Sequence, residues 1–114
     1  MKIVINKAIL QLIKKCFMLK NTNSKKLDNQ QVKDLFNVLL SLERFQEAKM
    51  FLSDVLTTKE IQEISMRWKV ARMLNKKFSY SKITKLTNMS PVTIAKINKR
   101  LKNGSGGYKL LLNR

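Results

Sequence analysis

Apolar residues recur at spacings of three and four along most of the chain, a pattern that predicts helices rather than strands. Three helices are predicted in succession, at roughly 29–41, 43–53 and 58–76. Their apolar stripes are Val32, Leu35, Phe36, Leu39 and Leu40, then Phe45, Ala48, Phe51 and Leu52, then Ile61, Ile64, Trp68, Ala71 and Leu74. We therefore predict an all-α fold in which Trp68 is a core anchor.

The C-terminal half predicts two further short helices around a tight turn, a helix-turn-helix at about 80–102. Ser79 can cap the first of them, and Ile83 and Leu86 are expected to face inward. Asn88 is expected at the turn, because asparagine enters the left-handed backbone region at a lower cost than most other side chains.

Ser90 and Pro91 predict the start of the second short helix, since serine supplies a capping oxygen and proline has its φ angle already set. One face of this helix is apolar and contains Ile94, Ile97 and Leu101. The other side is polar, rich in donors and free of acids: Thr93, Lys96, Lys99 and Arg100. Such a face suits a helix that lies in the major groove of DNA.

The distribution of charge strengthens this interpretation. The net charge is +17, and all seven acidic residues lie between Asp28 and Glu63. From Ile64 to Arg114 there are thirteen Lys or Arg and no acidic residue. A solvated protein surface usually mixes both signs, so the charge favours a polyanionic partner over an ordinary surface hairpin.

The composition argues against an enzyme. The 114 residues suit one small domain, and the chain has no histidine, the commonest general base and metal ligand. The lone Cys16 cannot build a zinc site or an intrachain disulfide, which fits a reducing cytoplasm. No glycine-rich loop follows a strand, so no phosphate-cradling motif is present. We predict no cofactor and no metal.

Residues 1–26 are predicted to form a basic N-terminal extension. This segment has seven lysines and no acids, and its apolar runs are too short for a membrane span. It is either a disordered arm or an amphipathic helix, with Ile5, Ile9, Leu12, Cys16 and Leu19 at helical spacing. Either form could touch DNA phosphates or a membrane surface.

Two further local signals predict where helices begin or end. Thr57 and Glu60 form a predicted capping box that opens the third helix. Gly104 is expected to close the second short helix in the left-handed conformation. The tail 108–112 is then either a final helical turn or an extended segment.

The stretch from about Leu27 to Leu112 resembles the tryptophan repressor superfamily, and most closely its YerC/YecD-type repressor-like branch. The resemblance is carried by Leu56 and Thr57 with Glu60, the run 67–74, the segment 90–97, and Leu101 with 103–108. It implies a helical bundle, an intertwined homodimer, and a projecting helix-turn-helix as the DNA reader. We accordingly predict a repressor-like DNA-binding domain at 27–112.

The resemblance also implies a possible effector pocket at Thr57, Arg67 and Lys96, where this chain departs from the tryptophan repressor. Arg67 matches the first of the two arginines that hold the indole there, but the second position is Lys96. An ammonium group stacks less well than a planar guanidinium. Ile97 stands where the tryptophan repressor has glycine and should fill the ligand's space. We therefore expect no tryptophan binding.

Together these patterns predict a sequence-specific transcriptional repressor that binds double-stranded DNA as a homodimer. The expected base contacts are Ser90, Pro91, Val92, Thr93 and Lys96. The expected phosphate contacts are Tyr80, Ser81, Lys85, Lys99 and Arg100. Two alternatives remain: a protein- or RNA-interaction module that uses the hairpin as scaffold, and a membrane-surface protein held by residues 1–20.

Overall fold

The computed structural model describes residues 28–114, and this part of the chain consists of six helices without a strand. The predicted all-α fold is therefore confirmed for these residues, while the predicted extension 1–26 lies outside them. The helices are α1 (Gln30–Ser41), α2 (Phe45–Val55), α3 (Thr58–Asn75), α4 (Tyr80–Thr87), α5 (Pro91–Asn103) and α6 (Gly107–Leu112).

The chain divides after Leu56 into two compact units, and α1 and α2 belong to the first. Asn29 caps α1, because its side-chain oxygen accepts a hydrogen bond from the Val32 amide at 2.9 Å. The predicted start of this helix is thus confirmed within one residue.

Helix α2 begins two residues later than predicted. The Glu47 carboxylate accepts hydrogen bonds from the backbone amides of Glu43 and Arg44, at 2.7 and 3.1 Å. The side chain thereby satisfies two donors ahead of the helix and fixes Arg44 as its N-cap. These two hydrogen bonds to Glu47, rather than the apolar spacing, set the position of the first turn.

The capping box at the start of α3 is confirmed. The Thr57 hydroxyl accepts from the Glu60 amide at 3.1 Å, and the Glu60 carboxylate accepts from the Thr57 amide at 3.0 Å. Hydrogen bonding from the Thr57 backbone, and then from its side chain, lowers the pKa of Glu60. The carboxylate therefore stays ionised, and the cap intact, to a lower pH than a free glutamate would allow.

Helix α3 ends in a Schellman motif that the sequence did not predict. Lys77 adopts a left-handed conformation with φ of 66°, and its amide donates to the Leu74 carbonyl at 3.0 Å. The Phe78 amide then donates to the Met73 carbonyl at 3.1 Å. Glycine is the usual residue at this position, so a lysine gives no signal of the turn.

The core of the second unit is formed by α3, α4 and α5. Its buried side chains are Val70, Ala71, Leu74, Ile83, Ile94 and Ile97. Trp68, predicted to be a core anchor, is half-buried and does not belong to this core. Its ring stacks instead on Tyr108 of α6, which packs against the core, with 6.4 Å between the ring centroids. The tail is thus a helix, the first of the two forms that were predicted for it.

In the second unit, two positions on predicted apolar faces are exposed in the single chain. Leu86 of α4 is 53% exposed and Ile64 of α3 is 49% exposed. Both lie on the predicted apolar faces, but the buried strip of each helix is narrower than the apolar stripe in the sequence. Helical periodicity identifies a face without showing how far a neighbouring helix covers it.

The turn between α4 and α5 is built as predicted. Asn88 ends α4 in the left-handed conformation, with φ of 58°, and its amide donates to the Thr84 carbonyl at 2.8 Å. Ser90 caps α5 by accepting from the Thr93 amide at 3.3 Å, and Pro91 is the first helical residue. The path of the backbone into α5 is therefore fixed by the left-handed Asn88 before the turn and by the Ser90 side-chain cap after it.

Replacing Asn88 with valine is expected to lower the free energy of unfolding by about 1–2 kcal/mol, since β-branched side chains are strained at positive φ. Replacing Asn88 with glycine removes that strain and should leave stability within about 1 kcal/mol of the parent. Urea unfolding of both variants measures the difference. Equal losses in the two variants would contradict the backbone explanation.

The predicted role of Gly104 is wrong. Its φ is −80°, and the glycine in the left-handed region is Gly106, with φ of 94°. Gly104 is needed for a different reason: a Cβ atom there would clash with the Arg100 carbonyl oxygen. The chain leaves α5 by a close backbone approach that only glycine permits.

Candidate nucleic-acid interface

Helix α5 presents two chemically distinct sides. Ile94 is completely buried and Ile97 is 5% exposed, so both anchor the helix to the core. The side chains of Thr93, Lys96 and Arg100 are exposed. The predicted orientation of the helix is therefore confirmed, with its donor-bearing side available to a partner.

The first turn of α5 holds a pair of hydroxyl groups. The Ser90 and Thr93 side-chain oxygens lie 2.9 Å apart, while the Ser90 oxygen also caps the helix. One hydroxyl proton is used between the two oxygens, so the pair keeps a second proton that can be donated to a partner. Pro91 and Val92 are exposed beside them, and Val92 is 66% exposed. The five predicted base contacts thus include four consecutive exposed residues, 90–93, and Lys96 one turn later.

The predicted phosphate contacts lie on both helices of the hairpin. Ser81, Lys85, Lys99 and Arg100 are exposed. Tyr80, the first residue of α4, is 36% exposed, and its oxygen accepts a hydrogen bond from the Asn98 side chain at 3.0 Å. Sequence analysis could not predict this bond, because it joins residues eighteen positions apart on different helices. Lys82 is a cation that the predictions also omitted, and its ammonium lies 4.1 Å from the Phe78 ring centroid.

The predicted effector pocket comprises one capping residue and two basic residues. Thr57 is engaged in the α3 cap, and Arg67 and Lys96 are exposed. No hydrogen bond joins any two of them in the part of the chain that the structure describes. Ile97, predicted to fill the ligand's space, is packed into the core.

No group of three or more His, Cys, Asp or Glu side chains in residues 28–114 could hold a metal ion. None of the described helices combines the length and the apolar character that crossing a membrane requires. The acid-free surface of α4 and α5 is therefore the main candidate site of the described chain.

Fold and site together define a small all-α protein with an exposed basic pair of short helices. Comparison with known proteins gives the family: residues 30–114 match the Trp repressor protein family. The chain therefore belongs to that family, whose members are regulators rather than enzymes.

Individual relatives agree with this assignment. The uncharacterized protein YerC of Bacillus subtilis (strain 168) is 37% identical over 89 residues, which cover 78% of this chain and 86% of YerC. The crystal structure of a TrpR like protein from Eubacterium eligens ATCC 27750 superposes with a TM-score of 0.75 at 39% identity. That match covers 78% of this chain and 92% of the other. A further crystal structure, from Staphylococcus aureus, has a TM-score of 0.76 at 31% identity, covering 82% and 94%.

Proposed function

We propose that this protein is a sequence-specific DNA-binding transcriptional repressor that reads the major groove with α5. The observation that carries the proposal is the division of α5 into buried isoleucines and an exposed side bearing Thr93 and Lys96. A helix anchored in this way can enter the groove without exposing the core. Membership of the Trp repressor protein family supports the same function.

In this proposal the exposed residues of the hairpin have two roles. Hydroxyl and ammonium donors at the start of α5 contact base edges: Thr93 can donate to a base and touch a thymine methyl, and Lys96 can reach guanine. Ser90, Pro91 and Val92 lie beside them on the first turn. The phosphate contacts set register, and they come from Tyr80, Ser81, Lys85, Lys99 and Arg100.

A homodimer is part of the proposal. No residue of α1 or α2 is buried in the single chain, and both helices expose large apolar side chains. Those side chains are Leu35, Val38, Phe45, Met50 and Val55. Apolar surface of this extent is typical of an interface, and a second copy of the chain is the partner that the family fold implies. Two α5 helices would then meet half-sites about one helical turn apart.

Selection of duplexes from a random pool, at two salt concentrations, tests the function directly. We expect enrichment of a sequence with two-fold symmetry and affinity that falls steeply as salt rises. Salt-sensitive binding without any enriched sequence would contradict specific regulation. Tighter binding to single-stranded RNA than to any duplex would favour an RNA-interaction module instead.

Tryptophan is not expected to act as a corepressor. Ile97 occupies the core and Lys96 lacks the planar group that would stack on an indole. Calorimetric titration with L-tryptophan up to about 1 mM should give no saturable heat, with or without the selected duplex. A clear binding isotherm, or duplex affinity that rises with tryptophan, would overturn this expectation.

A further inference from the structure

One side-chain hydrogen bond crosses the hairpin and is not explained by helix capping or by the core. The Asn98 amide nitrogen, on α5, donates to the phenol oxygen of Tyr80, the first residue of α4, at 3.0 Å. Asn98 is half-buried, whereas Tyr80 is 36% exposed. The bond therefore fixes the position of a hydroxyl group at the protein surface.

The direction of this bond determines what the hydroxyl can do. A phenol group carries one proton to donate and lone pairs to accept with. Because the Tyr80 oxygen accepts from Asn98, its own proton must point away from that amide. No acceptor for this proton is found within residues 28–114. Tyr80 is thus a positioned donor that lacks an acceptor in the described chain.

We infer that Asn98 is a positioning residue that holds the Tyr80 hydroxyl to donate to a phosphate oxygen of the DNA backbone. This inference rests on the function proposed above and adds a residue to it. The surroundings favour a phosphate as acceptor, because Ser81 and Lys99 are exposed neighbours in sequence of the two partners. The segment from Ile64 onward also contains no carboxylate side chain that could take the proton. In helix-turn-helix complexes the first helix crosses the DNA backbone, so its first residue is suited to a phosphate rather than a base.

Replacing Tyr80 with phenylalanine removes the hydroxyl and keeps the ring. Affinity for a mixed-sequence duplex of about 30 base pairs should fall about tenfold, the effect of losing one hydrogen bond to a charged group. The slope of log affinity against log salt should not change, because a neutral hydroxyl displaces no counterion. As the matched control, Lys99→Gln should reduce that slope by about 0.9.

Replacing Asn98 with aspartate separates positioning of the proton from simple bracing of the hairpin. The carboxylate can only accept, so the Tyr80 hydroxyl would turn and donate to it, and the link between the helices would remain. The added charge should weaken duplex binding in every N98D protein alike. Within the N98D background, Y80F should then change affinity by no more than about twofold, against about tenfold in the parent.

The outcomes distinguish three cases. The inference is supported if Y80F lowers duplex affinity in the parent but not in the N98D background, and if the slope of log affinity against log salt is unchanged. An equal loss in both backgrounds, or an unchanged affinity with a lowered melting temperature, would show that the bond only braces the hairpin and would overturn it. If the parent protein bound no duplex at all, the proposed function itself would be wrong. The parent protein alone reveals that outcome, so it cannot be confused with a failure of the inference about Asn98.

Discussion

Replacing Ile94 with alanine is expected to lower the free energy of unfolding by about 3 kcal/mol, the largest effect on stability that we expect of a single truncation here. Ile94 is completely buried, and it belongs to the cluster that joins α3, α4 and α5. The loss combines the missing hydrophobic transfer with a cavity that a small core closes only in part. Urea unfolding at a fixed protein concentration measures it, since dimerisation makes apparent stability depend on concentration.

Val92→Ala is the matched control for this variant. Val92 is also β-branched and lies on α5 two residues before Ile94, but it is 66% exposed. Truncation there leaves no cavity, and alanine is the better helix former, so stability should stay within about 0.5 kcal/mol of the parent. Similar losses in both variants would mean that α5 is not anchored through Ile94.

The fold could be predicted well where a residue type has few alternatives. Asn88 with the following Ser90 and Pro91 specifies a left-handed residue, a cap and a first helical turn, and all three are present. The glycine-rich segment after α5 was harder to predict, because either Gly104 or Gly106 could supply the left-handed residue. Which one does so depends on the approach of the Arg100 carbonyl to Gly104, a contact without a local sequence signal.

The candidate site could be predicted only where it depends on local sequence and not on the packing of one helix against another. Charge and helical spacing placed Thr93 and Lys96 on an exposed side, since both depend only on the local sequence. The bond from Asn98 to Tyr80 depends on how α4 packs against α5, so periodicity cannot predict it. Leu86 illustrates the same limit, because its exposure depends on the width of the buried strip rather than on its own spacing.

The double substitution Thr93→Ala with Lys96→Gln is expected to abolish sequence preference. Each well-formed base contact contributes about 1–3 kcal/mol of discrimination, so losing both should reduce the affinity ratio of selected to scrambled duplex by about 100-fold. Both side chains are exposed on α5, and neither belongs to the buried core, so the fold should survive. Competition binding with the two duplexes, at one salt concentration, measures this ratio.

Lys99→Gln distinguishes loss of base reading from loss of charge. Lys99 is exposed on the same helix, and its proposed partner is a phosphate, which every sequence presents. Its removal should weaken binding to selected and scrambled duplexes equally and leave the ratio unchanged. If the double variant also weakened both duplexes equally, Thr93 and Lys96 would be phosphate contacts. The reading of sequence would then have to come from other residues or from DNA shape, and α5 would serve to position the protein rather than to select its site.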